Sequence, residues 1–407
     1  MTALFCIATK TAAAEFCKRS CVMITKISNG LVISDGKLYE NKSIYINGDK
    51  IIAVTEEQMP YEKEIDAEGN YVSAGFIDIH VHGGGGHDFT DGGTQPILAA
   101  ASFHAEHGTT TIVPTMPAAS LQQIKIFLDD VRAAIEESSK NINIYGAHLE
   151  GPYLSSQQCG ALNINDMQPP NKTEYEKITE DYRDVLKRWT FAPELSGSTE
   201  FYHYLKSKDI IGSVGHSNAV FNDVERVYDD GCRLVTHLYS AMSTITRKNG
   251  FRRLGVVESA LLLDDMIVEL ITDLRHLPAE LIQLIYKIKG VDNICLITDA
   301  MRGAGMPDGP SVLGDSKSGI PCVIEDGVAK LTDRSAFAGS VATADRLIRG
   351  CVKNVGLDVA STVKMMTINP AKVMGMQNKG DIKEGMDADV VIFDDDIQIK
   401  KVLIMGK

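Results

Sequence analysis

Asp78, His80 and His82 alternate along Asp78-Ile79-His80-Val81-His82. They close an apolar run, residues 71–77, that reads as a buried strand. Residues i and i+2 of a strand point to the same side. His80 and His82 therefore project together at the strand's end, just before the flexible run Gly83-Gly84-Gly85-Gly86. Two imidazoles aimed at one point are half of a metal site. An isolated His-x-His is more often a pair of half-buried loop residues, so the remainder of the chain decides. Four further apolar segments end in His148-Leu149-Glu150, Gly215-His216-Ser217, Thr236-His237-Leu238 and Thr298-Asp299-Ala300. Together they offer His80, His82, Glu150, His216, His237 and Asp299. Four imidazoles and two carboxylates suit zinc or another first-row divalent ion. The chain has only 10 histidines, and four of them ending strands by accident is a poor explanation.

Such a set needs a scaffold that gathers many strand ends. Between about residues 74 and 377 the sequence alternates strand and helix. Strand-like segments fall at 76–82, 110–116, 142–150, 188–194, 210–216, 233–239, 266–273 and 294–299. Helical periods over 121–135, 221–228 and 279–288 lie between some of them. Eight such units predict an α/β chain with a closed (β/α)8 TIM-like barrel, whose catalytic groups come from the C-terminal strand ends. A doubly wound open sheet is the rival, but no Gly-x-Gly-x-x-Gly turn follows the first strand. The two ends of the chain read differently. Asn29-Gly30 and Asn47-Gly48 each sit between short β-patterned runs and predict hairpins. Residues 389–393 and 402–404 return to that style. Residues 23–73 plus 378–407 are expected to form one small β-sandwich domain, with 74–377 as the metal-dependent hydrolase barrel. Residues 1–22 read as a disordered tail or start-site extension ahead of Met23.

The 407-residue chain is 44% hydrophobic and 23% charged, ordinary for a globular protein, and carries a net charge of −13. That charge argues against nucleic acid or an anionic membrane as the main partner. No segment is long and apolar enough to span a membrane. The 8 cysteines are scattered, with no Cys-x-x-Cys pair, which indicates neither a disulfide framework nor a zinc knuckle and fits a reducing, cytoplasmic setting. No Gly-x-Ser-x-Gly elbow offers a serine nucleophile. His104 and His107 lack the His-Glu-x-x-His spacing of metalloproteases and read as structural, while His148 reads as a neighbour of the ligands.

The ordered set Asp-x-His-x-His, His-Leu-Glu-Gly-Pro, Gly-His-Ser-Asn-Ala, Thr-His-Leu-Tyr and Thr-Asp-Ala resembles the amidohydrolase superfamily and, within it, the N-acetylglucosamine-6-phosphate deacetylase family. The resemblance runs from about Met23 to the end. It implies that Glu150, His216 and His237 ligate one metal, that His80 and His82 contribute to a second position, and that Asp299 is the catalytic acid/base. It implies substrate contacts from Ser240, Ala241, Arg252 and His276. It further implies one or two divalent ions (zinc, with iron, manganese or cobalt as alternatives), a small-molecule amino sugar phosphate as substrate, and a homodimer. Two positions depart from the family's pattern: Ser240 replaces an Asn, and Leu162 replaces a polar residue. The loop from Ser243 to Phe251 is also longer than the family's, and Arg247, Lys248, Arg252 and Arg253, in it or just after it, form a basic cluster that reads equally as a phosphate site or a solvated loop.

The expected chemistry follows from the residues. A divalent ion lowers the pKa of bound water to about 7, so metal-bound hydroxide can attack an amide carbonyl. Asp299 takes the proton and returns it to the departing amine. The expected reaction is deacetylation of an N-acetylamino sugar phosphate, N-acetylglucosamine-6-phosphate to glucosamine-6-phosphate plus acetate. The alternative is hydrolysis of another C–N bond, in an N-acyl amino acid, a cyclic amide or a different N-acetylhexosamine.

Overall fold

A computed structural model of the chain describes residues 23–138 and 142–407. The expectation for residues 1–22 lies outside them. Eight parallel strands follow one another around the barrel: β1 (Phe76–Val81), β2 (Thr109–Pro117), β3 (Ala147–Glu150), β4 (Leu186–Phe191), β5 (Ile211–Val214), β6 (Leu234–Val235), β7 (Ile267–Leu270) and β8 (Ile294–Leu296). Each pairs with the next in sequence. Past the end of β8 the circle is completed by backbone bonds, Asp299 N–H to His80 O at 2.9 Å and His82 N–H to Ala300 O at 2.8 Å. The seam of the barrel thus runs through the candidate site. The expected barrel is the observed one.

Helices cover the strands for the reasons their sequences suggest. The helix Leu121–Glu137 starts at a Ser120/Gln123 capping box, which satisfies two otherwise orphaned backbone N–H groups. Ile124, Phe127, Leu128 and Val131 repeat at i, i+3, i+4, i+7 and are all buried. β1 is buried at every position, as a strand covered on both faces must be.

Both ends of the chain build two small sheets. One orders Lys50–Thr55, Ser43–Asn47, Ile24–Ser28 and Lys63–Asp66; the other orders Ile399–Leu403, Val390–Phe393, Tyr71–Ala74, Leu31–Ser34 and Lys37–Tyr39. The Asn47-Gly48 hairpin is present. The Asn29-Gly30 hairpin is not, because Ile24–Ser28 and Leu31–Ser34 belong to different sheets. Gly30 passes against Val72, where a Cβ would lie 2.5 Å from a valine methyl, so this turn carries the chain between sheets.

Strand alternation joins these sheets to the barrel. Val390 and Ile392 pack into the small core, whereas Val391 and Phe393 pack into the barrel's. Phe393 meets Tyr71 at 5.4 Å and Phe76 at 6.1 Å between ring centroids. We expect Phe393→Ala to destabilise the chain by about 3–5 kcal/mol. Denaturant unfolding checks this, and a loss below about 1 kcal/mol would show that the ring is not a major tie.

The largest unexpected sheet follows the barrel. After β8 the chain adds a three-stranded antiparallel sheet, Gly309–Leu313, Ile320–Glu325 and Val328–Leu331. Among the described residues no helix is long and apolar enough to cross a membrane.

Candidate metal and substrate site

The strand ends bring the six expected donors together. His80 lies on β1 and His82 just past it, Glu150 ends β3, and His216, His237 and Asp299 follow β5, β6 and β8. Glu150 is the hub. Its Oε1 is 3.1 Å from His216 Nε2, 2.8 Å from His237 Nε2 and 3.5 Å from His80 Nε2. Its Oε2 is 3.3 Å from His82 Nε2. Asp299 Oδ1 lies 3.1 Å from His82 Nε2 and 3.6 Å from His80 Nε2.

The donors form two triads that share Glu150: His80, His82 and Glu150, and Glu150, His216 and His237. Donors bound to zinc at about 2.1 Å in a tetrahedron stand about 3.4 Å apart. The observed spacings match that scale, and the donor set suits a divalent first-row ion, so the residues fit a metal. Two histidines are aimed by their far nitrogens: His216 Nδ1 against Gln158 O at 2.9 Å and His82 Nδ1 against Thr115 O at 3.2 Å. Such contacts fix the ring and leave Nε2 facing the centre.

The electrostatics favour a cation. Burial opposes charge on every group here. Even so, Glu150, Glu269 and Asp299 hold His80 up at about 9, and the Asp299 and Glu150 carboxylates hold His82 well above its usual range. In return, His80, His216 and His237 outweigh burial and keep Glu150 well below the usual carboxylate range. Asp299 is lowered by the His82, His80 and His237 side chains against the same burial. Burial drives His148 the other way, well down, and Arg188 adds to that; its nitrogens meet Thr115 at 3.1 Å and Thr190 at 2.7 Å, which makes it a neutral supporting residue. Asp78 belongs to neither group of donors. It bonds Thr298 and ties β1 to the residues that follow β8.

The backbone bends to aim these groups. His216, His237 and Asp299 have φ of 46°, 26° and 48°. Left-handed non-glycine residues of this kind cost about 1–3 kcal/mol each and cluster at functional sites. The run Gly83–Gly86 is not a loose loop: Gly83 and Gly84 pair with His87 and Asp88. A Cβ on Gly83 would lie 2.2 Å from His87 O, so glycine is needed directly after His82.

Five of the six donors, all but His80, line a cavity of about 240 Å³. Ser240, Ala241, His276 and Leu162 line it, as do Leu313, Phe337 and Gly339 from the insertion after β8. These insertion residues were not anticipated as site residues. His276 is held by Asp273 Oδ2 at 2.9 Å and packs edge-on to Phe337 at 4.9 Å. A larger hollow of about 370 Å³ adjoins across Pro117, Leu162 and Leu313 but contains none of the six donors, so the smaller cavity is where the chemistry lies. Arg252 is not brought in. It sits on an exposed two-stranded hairpin, Thr246–Lys248 with Phe251–Arg253, opposite Arg247. Among the described residues no Lys or Arg lines the cavity.

Comparison with known proteins agrees with this architecture. The sequence model of the amidohydrolase family matches residues 71–407. An N-acetylglucosamine-6-phosphate deacetylase of Bacillus subtilis is 30% identical over 382 residues, covering 92% of this chain and 94% of that protein. An N-acetylgalactosamine-6-phosphate deacetylase of Escherichia coli O157:H7 is 29% identical over 361 residues, covering 88% and 92%. A mutant N-acetyl-D-glucosamine-6-phosphate deacetylase of Mycobacterium smegmatis, solved with N-acetyl-D-glucosamine-6-phosphate, superposes with a TM-score of 0.86 at 27% identity, covering 95% of this chain and 98% of that one.

Proposed function

Because the chain belongs to the amidohydrolase family, we propose that it hydrolyses the acetamide of an N-acetylamino sugar phosphate, N-acetylglucosamine-6-phosphate foremost, to the free amine and acetate. The observation that carries this reading is the pair of donor triads sharing Glu150, with Asp299 beside them in the lining of one cavity. Glu150, His216 and His237 would hold one divalent ion, zinc by donor type, and His80 and His82 with Glu150 a second. A bound ion supplies Lewis acidity, polarising the acetyl carbonyl and making water acidic enough to attack near neutral pH.

The chain's own residues do the rest. Asp299, kept ionised by the histidines around it, receives the proton of the attacking water. It then donates that proton to the nitrogen as the C–N bond breaks, so that the amine leaves neutral. His276, oriented by Asp273, and Ser240 and Ala241, which line the same cavity, bind the sugar phosphate. Leu313 and Phe337 shield the bond being cut from bulk water.

Phosphate is best met by a cationic side chain, and among the described residues no Lys or Arg lines this cavity. The basic hairpin carrying Arg252 would supply one if a second copy of the chain laid it across the mouth. Arg252→Ala should then raise KM for the phosphorylated sugar at least tenfold and change turnover of the unphosphorylated sugar little. Steady-state kinetics on both sugars check this; equal effects would remove Arg252 from the phosphate contact.

Ser240 and Leu162 bear on which hexosamine is preferred. The Escherichia coli O157:H7 relative is named for N-acetylgalactosamine-6-phosphate, so both epimers belong in the assay panel. A preference for the galacto epimer would keep the chemistry and change the sugar. Acetate release from N-acyl amino acids or ring opening of cyclic amides, without release from any amino sugar, would overturn the proposal.

A further inference from the structure

A buried charge pair adjoins the donors and plays no part in the reaction as described above. Arg188 on β4 and Glu269 on β7 are both fully buried. The guanidinium meets the carboxylate through two contacts, Nη1 with Oε1 and Nη2 with Oε2 at 3.0 Å. Its other bonds go to Ser213 Oγ at 3.2 and 3.1 Å, Thr236 Oγ1 at 2.9 Å and Ile79 O at 3.2 Å. Every nitrogen of the guanidinium is thus engaged inside the protein, and its plane is fixed. Glu269 Oε2 also accepts the backbone N–H of His237 at 3.3 Å.

Stability alone does not account for this pair. Burying two charges costs several kcal/mol each, and well-packed apolar residues of the same volume often serve as well or better. The pair's neighbour supplies another reason. His80 turns Nε2 toward Glu150 and turns Nδ1 toward Glu269 Oε2, 3.6 Å away. That Nδ1 is buried and has no hydrogen-bond partner among the described residues. His82 and His216, by contrast, rest their Nδ1 atoms on backbone carbonyls.

We infer that Glu269 is a positioning residue for His80: it accepts from the Nδ1–H, which keeps the proton on Nδ1 and so presents the Nε2 lone pair to the metal, while Arg188 holds Glu269 in place as a carboxylate. This is the carboxylate–histidine–metal relation, which fixes tautomer and ring orientation. The inference rests on His80 being a metal-ligating residue.

The test separates positioning from mere structure. The variant Arg188→Met/Glu269→Leu removes both charges together, so neither is stranded. Zinc affinity is measured by competition with a chelator, beside the wild type and His80→Asn/His82→Asn, which defines the loss of the first pair. Unfolding of the metal-free proteins is recorded in parallel. We expect the charge-free variant to keep wild-type metal-free stability yet bind zinc at the His80 position 10- to 100-fold more weakly. Unchanged affinity would overturn the inference.

A second measurement needs no altered pair. In zinc-loaded wild type with ¹⁵N-labelled histidine, His80, identified by loss of its signals in His80→Asn, should carry a proton on Nδ1 and ligate through Nε2. A bare Nδ1, or ligation through Nδ1, overturns the inference even if the variant does not fold. Wild type that takes up no zinc at all would remove the metal reading itself, and this inference with it; wild type that binds zinc normally while the charge-free variant matches it would remove the inference alone.

Discussion

Asp299→Asn should lower kcat for acetate release by about 10²–10⁴-fold, the usual worth of general acid–base catalysis. Asparagine keeps the size and polarity of the side chain but cannot carry a proton from water to nitrogen. The carboxylate is suited to both steps. It is buried, yet His82, His80 and His237 hold it ionised, so it is ready to accept, and its Oδ1 lies 3.1 Å from His82 Nε2 at the edge of the donor cluster. KM should move far less than kcat, because the lost interaction belongs to the transition state. Metal content at the His216 and His237 position should persist, since that triad is completed by Glu150 and not by Asp299. A variant with near-normal turnover would exclude Asp299 as the proton carrier. A variant that loses its metal would instead make Asp299 a ligand.

Glu150→Gln should be more damaging still, emptying both metal positions and leaving activity at background. Glu150 is the one residue common to the two triads. It is 2% exposed and has four imidazole nitrogens within 3.5 Å. Removing its charge takes away the one carboxylate that faces all four rings, and glutamine is a poor ligand in its place. The contrast with His80→Asn/His82→Asn is the informative part. That double variant should retain about one ion at the other triad. Metal analysis of the three purified proteins distinguishes the cases. If Glu150→Gln retains the wild-type content, the shared hub is wrong. If the double histidine variant also retains it, the first pair is not a ligand pair.

Much of this site could be read along the chain because barrel geometry makes strand ends local in sequence. His80 and His82 stand at i, i+2, and Glu150, His216, His237 and Asp299 each close an apolar run of their own. Pattern reasoning needs no distances for that, only the rule that such ends meet. Three things were beyond it. The left-handed backbone at His216, His237 and Asp299 leaves no mark in residue type, since none is glycine. Arg188 and Glu269 look like ordinary surface charges; only their meeting across the barrel makes them part of the site. The position of Arg252, on an exposed hairpin away from the cavity, depends on how a long connection folds rather than on its charge. The sheet after β8 is different, because its signal was present. Glu325-Asp326-Gly327-Val328 is an Asp-Gly hairpin turn between alternating apolar residues, and Asp326 and Gly327 have φ of 56° and 74° as such a turn requires. The Asn29-Gly30 turn shows the converse. The same chemistry there joins two sheets, because Gly30 packs against Val72 in the small core.

The most direct measurement takes wild-type protein in two forms, stripped with a chelator and reloaded with zinc, and follows acetate and free amine from N-acetylglucosamine-6-phosphate. The reloaded form should release one acetate and one amine per substrate consumed. The stripped form should be slower by at least a hundredfold, and recover on adding zinc, manganese or cobalt. Equal rates in the stripped and reloaded forms, or no acetate from either while another C–N bond is cut, would contradict it.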